Sequence, residues 1–168
     1  MADQSNLALL VLRVVLGLFL AYHGYNKFFG GGRLPGTARW FASIGFRAPS
    51  LQALLAASTE VGAGVLLAAG LLTPLAAAAV ISVMIVAIVS SHWKVGFFIF
   101  KEGGGWEYCA TIAVAAFAIG TISAGEWSLD HALDIGFDGW GGAIITGAVG
   151  VGGALAQLLA FYRPKPSA

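Results

Sequence analysis

Charge is what this sequence has least of. Charged residues make up 10% of its 168 positions, against about 25% in a typical soluble domain. Hydrophobic residues make up 58%, and mean hydropathy is +0.85. So little polar surface cannot cover a globule in water, which excludes an ordinary soluble domain and points to an integral membrane protein. Cysteine is nearly absent as well. Cys109 stands alone, which excludes an intrachain disulfide, a thiolate metal site and CxxC redox chemistry within the chain. The net charge of +1 and the lack of any long basic run exclude a nucleic-acid surface. No phosphate-binding loop, G-x-S-x-G elbow or nucleophile triad is present, and no metal site is expected. The N-terminus "MADQSNLALLVLR" has no basic n-region, and no A-x-A site follows. The first apolar segment is therefore expected to be retained.

Long apolar runs are what the chain does have. A helix needs about 20 apolar residues to span hydrocarbon, and five segments qualify: Leu7–Phe29, Leu51–Leu72, Pro74–Val95, Trp106–Ala124 and Gly139–Tyr162. The expected fold is an all-α transmembrane helical bundle in a single membrane domain, 1–168. Pro74 forces a tight turn at "LLTP". The fifth segment is glycine-rich, and Ala143/Gly147 and Gly150/Ala154 have the small-xxx-small spacing that brings helices close. "LPGTARWFASIGF" suits a short interfacial helix. Ser128 in "EWSLDHALDI" is a helix N-cap candidate.

The basic residues order these spans. Apart from Arg13, every Lys and Arg lies outside or at the edge of a span: Lys27, Arg33, Arg39, Arg47, Lys94, Lys101, Arg163 and Lys165. Five spans put all of these on one side, whereas four would move the C-terminal tail across and weaken the asymmetry. The positive-inside rule then places the N-terminus outside and the C-terminus in the cytoplasm.

Two groups of polar residues sit where they are costly. Glu60 interrupts the apolar "LLAASTEVGAGVLLAAG", and Arg13 lies within the first span. Buried charges in membranes usually pair. At about 1.5 Å per residue, Arg13 lies about 9 Å from one surface and Glu60 about 13–14 Å from the other, which leaves roughly 7 Å between them in a core of about 30 Å. An Arg13–Glu60 charge pair is expected, either as a clamp between helices or as a proton-carrying element. The second group gathers at the cytoplasmic end: His23 and Lys27 one turn apart, His92 near the end of the third span, and Glu107, Tyr108 and Cys109 at the start of the fourth. Such residues relay protons or hydrogen-bond a carbonyl head group. They also read as interfacial side chains reaching lipid headgroups. A quinone fits the group. Two histidines without a spacing constraint are weak grounds for haem. Cys109 reads as a small buried hydrophobe, and "FFGGGR" and "EGGGWE" as loops.

The same residues carry a resemblance. "LRVVLGLFLAYHGYNKFFG", "EVGAGVLLAAGLLTPLAA", "SSHWKVGFF" and "EGGGWEYCATIAVAAFAIGTISAGEWSLD" resemble successive blocks of the DoxX family of small bacterial membrane proteins, from about Leu7 to His131. Arg13, His23, Lys27, Glu60, His92, Glu107 and Asp130 stand in the family order. The resemblance implies a four-helix core, to which Gly139–Tyr162 adds a fifth helix. It further implies an association with quinone- or thiol-linked membrane redox complexes, relatives being linked to a thiosulfate:quinone oxidoreductase and to oxidative-stress defence.

Three functions follow as expectations. The first is a cytoplasmic-membrane redox subunit acting with protein partners, or as a homo-oligomer, and holding a quinone among His23, Lys27, His92, Glu107 and Tyr108. The second is a non-enzymatic scaffold that docks partners on its fifth helix. The third is a proton-coupled transporter centred on Glu60, which the lack of an inverted repeat disfavours.

Overall fold

The computed structural model describes residues 2–164, and every regular element among them is helical. Helix α1 runs Asp3–Phe29, α2 Arg33–Ser43, α3 Pro49–Ala69 and α4 Thr73–Ala87. The last of these continues into a π turn at Ile88–His92. Then come α5 (Glu107–Ile122), the single turn α6 (Leu129–Ala132) and α7 (Gly139–Phe161). The α1, α3, α4-plus-π and α7 segments are long and apolar enough to cross a membrane, while α5 is apolar but shorter. At 16 residues it spans about 24 Å.

Helix boundaries follow local chemistry. Helix α1 starts at Asp3 rather than Leu7 because its polar first turns have partners. Asn6 donates to Glu126 Oε2 at 2.9 Å and accepts from the Glu126 amide at 3.0 Å. Pro49 and Pro74 sit in the first turns of α3 and α4, where a missing N–H costs nothing. The tight turn between them uses left-handed backbone at Gly70 (φ 66°) and Leu72 (φ 49°). A side chain at Gly70 would also collide with the Arg13 guanidinium. Ser128 caps α6 by accepting from the His131 amide at 3.2 Å, as its position predicts.

Packing defines a ring of four helices. Helix α1 lies on α3, α3 on α4 and α4 on α5, while α1 and α5 barely touch. Helix α7 covers the outer side of α4 and α5, and α2 packs across α3. The core is built largely from alanine: Ala53, Ala57, Ala76, Ala77, Ala116 and Ala154 are buried. In lipid, close van der Waals packing rather than hydrophobic drive holds helices together. Gly17 and Gly64 face each other so closely that a Cβ on either would strike the other's carbonyl, and Gly24 meets the Ala57 carbonyl in the same way. On α7 the close-packed row is Gly142, Thr146, Gly150 and Ala154. The Gly150/Ala154 pair therefore lies at the contact, whereas Ala143 and Gly147 stand one position off it, half-buried.

The chain's ends and loops collect at two poles. At one pole, Arg47 N–H donates to the Phe161 carbonyl and Arg163 N–H to the Gly45 carbonyl, each at 2.8 Å. Phe41 and Phe46 pack there against Tyr162 and Phe161, and Ser43, Lys94 and Tyr162 share one cleft. Lys27, Arg33, Arg39, Arg47, Lys94, Lys101 and Arg163 belong to this pole's loops and helix ends, whereas Lys165 lies outside the described residues. The other pole holds the start of α1, the α3–α4 turn and 123–138.

Candidate functional site

The two buried charges of the spans do not meet. Arg13, 1% exposed, donates from Nη1 to the Ala68 carbonyl at 3.1 Å and from Nη2 to the Trp127 carbonyl at 2.6 Å. Glu60 instead accepts from Lys27 Nζ at 2.5 Å, the side chains being 7% and 23% exposed respectively. The expected Arg13–Glu60 pair is thus replaced by two separate arrangements, and helix register is the reason. The antiparallel crossing sets Gly17 beside Gly64 and Ala68, and Gly24 beside Ala57 and Val61. Glu60 then falls opposite the stretch around His23. That is about four residues from Lys27 and some ten from Arg13, or roughly 6 Å against 15 Å along the axis.

Arg13 closes the far pole together with Asp130. The Asp130 carboxylate accepts from the Leu72 amide at 2.6 Å and the Thr73 amide at 2.9 Å. It thereby caps α4 from a distant loop, satisfying amides that a helix start leaves open. The Asp130 amide in turn donates to the Gly70 carbonyl at 2.8 Å. Arg13, Asp130 and the Asn6–Glu126 pair together bind the loop after α5 onto α1 and the α3–α4 turn.

Lys27 and Glu60 open onto a cavity of about 350 Å3 inside the ring of helices. Its walls are apolar along Leu16, Leu20, Val83, Met84 and Ile112. Toward the basic pole it turns polar, with His23, Lys27, Glu60, Ser90, His92 and Tyr108 converging from α1, α3, the π turn and α5. His23 lies within electrostatic reach of Glu60. Trp40 and Phe41 of α2 cover this end. The weak contact between α1 and α5 leaves a lateral side, lined by Phe19 and Tyr108, that faces away from the core.

His92 is aimed by its surroundings. The π turn carries the Trp93 amide to the Ile88 carbonyl at 2.7 Å, and such bulges often mark functional positions. His92 Nδ1 lies 2.6 Å from the Gly104 carbonyl. That carbonyl is presented by the loop 93–106, in which Gly103 (φ 90°) and Gly104 (φ 67°) are left-handed. Gly105 is packed so tightly on the Phe97 carbonyl that no side chain fits. The glycine run in "EGGGWE" thus has a task that composition did not reveal. Glu107 serves the same loop, accepting from the Ile99 amide at 2.7 Å. It does not line the cavity, so of the expected group His23, Lys27, His92 and Tyr108 come together and Glu107 stands behind them.

Two glutamines were missed. Gln157 of α7 lines the cavity and donates to Gln52 Oε1 at 2.7 Å, and Gln52 is fully buried. A search for charges overlooks them. A single amide side chain in an otherwise almost wholly apolar 23-residue helix was the available signal. Among the described residues, no group of three or more His, Cys, Asp or Glu side chains is arranged to hold a metal ion.

A relative from Bacillus subtilis (strain 168), named "Putative oxidoreductase CatD", is 35% identical over 97 residues, covering 58% of this chain and 69% of that one. No solved structure matches. The DoxX family model matches residues 8–93, from the second turn of α1 through the π turn, and so takes in Arg13, His23, Lys27, Glu60 and His92. With its long apolar helices, the chain is a multi-pass membrane protein, and it belongs to the DoxX family.

Proposed function

We propose that this protein is a cytoplasmic-membrane subunit of a redox system and holds a quinone head group in the cavity between α1, α3, α4 and α5. The observation that carries the reading is the shape of the cavity: apolar along its length, polar at one end, with a lateral side between α1 and α5. A lipid-soluble ring compound needs such a path from the bilayer. The volume of about 350 Å3 lies within the range of small-molecule sites, about 300–1,000 Å3. His23, Lys27, His92 and Tyr108 supply groups that hydrogen-bond ring oxygens and exchange protons. The oxidoreductase name of the Bacillus relative supports the same direction.

The orientation that fits the basic pole is cytoplasmic, with the N-terminus outside and five crossings. The exposed apolar loop side chains Phe98, Ile99 and Phe100 extend the short α5 at that interface. With one cysteine and no flavin motif, the chain acts with partner proteins that deliver or remove electrons. The scaffold alternative is weakened, because the small-residue row of α7 is used against α4 and α5 of the same chain.

The test is extraction from native membranes in mild detergent, with mass spectrometry of proteins and lipid-soluble cofactors together, followed by quinone binding to the purified protein and to His92→Ala. A co-purifying quinone, with binding weakened in the variant, is the expected result. No quinone in the extract and no quinone binding by the purified protein would refute the reading.

A further inference from the structure

We infer that the cavity takes the reduced, hydroxyl-bearing form of its ring ligand in preference to the oxidised, carbonyl form, with His92 Nε2 accepting the hydroxyl proton in a hydrogen bond. The inference rests on the quinone reading above and adds which redox form the site recognises.

The argument begins with a carbonyl. The Gly104 oxygen has no proton to give, so in its 2.6 Å contact with His92 the ring nitrogen Nδ1 donates. A neutral imidazole carries one N–H, and placing it on Nδ1 leaves Nε2 with a lone pair. The choice is built into the fold rather than left to rotation. The Gly104 carbonyl is fixed by two successive left-handed glycines. It is held further by the Gly104 amide on the Lys101 carbonyl at 2.8 Å and the Gly105 amide on the Phe98 carbonyl at 3.0 Å. On the other side, the π turn sets where the ring stands.

The neighbouring groups include acceptors and donors, so the position facing His92 is the one that discriminates. The Ser90 hydroxyl donates its proton to the Val86 carbonyl at 2.7 Å, so its remaining capacity is as an acceptor. Glu60 is an acceptor, already engaged by Lys27. Donors in the cavity are the remaining Lys27 protons, the Tyr108 hydroxyl, the Trp40 indole N–H and the second Gln157 amide proton, while His23 serves in either sense. A ligand with a hydroxyl toward His92 and a second oxygen toward Lys27 satisfies both ends. A carbonyl toward His92 would set lone pair against lone pair and leave the half-buried Nε2 without its partner. Sites built to accept from a hydroxyl discriminate strongly against analogues without one. The loss of one such bond, its acceptor left half-buried, corresponds to about tenfold in affinity.

The experiment uses the full chain in lipid nanodiscs. Anaerobic equilibrium binding is measured for a short-chain benzoquinone and its quinol, and in parallel for a lipophilic halogenated phenol and its methyl ether, which separate hydroxyl donation from redox chemistry. Expected are tighter binding of quinol than quinone by tenfold or more, phenol tighter than ether, and a nitrogen-15 signal for His92 with Nδ1 protonated and Nε2 bare. His92→Phe should erase the preference. Equal binding of both forms, or a preference for quinone, would overturn the inference while leaving the quinone site standing. Failure of every ring ligand to bind would overturn both together. Comparing ligands on the unaltered protein keeps the test decisive even where the His92→Phe protein fails to fold.

Discussion

Replacing Lys27 by Met isolates the charge of Glu60 inside the bundle, and the cost can be worked from the geometry. The Glu60 side chain is 7% exposed and bonded to Lys27 at 2.5 Å. Removing one partner of a buried pair costs about 3–5 kcal/mol, because the remaining charge is left uncompensated. Lys27 is 23% exposed, so water reaches its end of the pair and the lower figure, about 3 kcal/mol, is expected. Glu60→Leu should cost less, since a lysine at a helix end can extend toward the interface. The double variant holds no buried charge. Replacing a whole pair by apolar side chains is often neutral, so the double variant should be more stable than Lys27→Met by about 2 kcal/mol. The assay is reversible unfolding in mixed micelles of increasing SDS fraction, followed by far-UV circular dichroism, for the four members of the cycle. A parallel cycle pairs Arg13→Met with Glu60→Leu and should be additive within about 0.5 kcal/mol, as for separated sites. Additive Lys27 and Glu60 effects beside a coupled Arg13–Glu60 cycle would refute the register argued above.

Asp130→Ala removes both acceptors that cap α4 and should cost about 1–2 kcal/mol in the same assay. Faster hydrogen exchange should follow at the Leu72 and Thr73 amides, with Asp130→Asn intermediate. Gly17→Ala forces α1 off α3 and should destabilise by about 1–3 kcal/mol, the usual cost of overpacking. Gly62→Ala, with open space around its Cβ position, should be neutral or slightly stabilising. Topology is checked with a membrane-impermeant maleimide on intact cells, the native Cys109 being buried and a poor target. Gly136→Cys should label and Ser43→Cys should not, and the reverse pattern would invert the proposed orientation.

What could be read from the sequence, and what could not, divides along a physical line. Span positions follow from apolar run length, a property of each segment alone, and the helices fall within a few residues of expectation. The sharing of faces was legible too. At about 100° per residue Gly17 and Gly24 share a face with Arg13, and Ala57 and Gly64 one with Glu60, and these four small residues do form the α1–α3 contact. Register was not legible, because it depends on which small residue meets which across two helices. A shift of two turns moves a side chain by about 11 Å, enough to exchange Arg13 for Lys27 as the partner of Glu60. Nor was the aim of His92 legible, since it depends on a π turn and on a carbonyl twelve residues further on. Periodicity assumes regular helix and does not register such a bulge. Glu107 belonged to the right pole, but only the loop's folding decides that its carboxylate turns to the Ile99 amide.

The two poles differ in what their polar groups face, and that difference separates structure from function. At the far pole the groups close on one another and on backbone. Both Asp130 oxygens accept amides, Asn6 uses its oxygen and its nitrogen, and Arg13 reaches two carbonyls. Arg13 Nε and the Thr73 hydroxyl are buried there without a hydrogen-bond partner among the described residues, so this pole is mostly rather than wholly satisfied, and its bonded groups tie helix ends and loops together. At the basic pole capacity remains: Lys27 bonds Glu60 through its ammonium, which carries three protons, and His92 engages one of its two ring nitrogens. Both face a cavity with apolar walls. Unused hydrogen-bonding groups in a membrane are costly, and their convergence on a single cavity is most simply explained by an occupant that completes them. Arg13 holds the bundle closed at one end, and Glu60, held by Lys27, belongs to the end that binds.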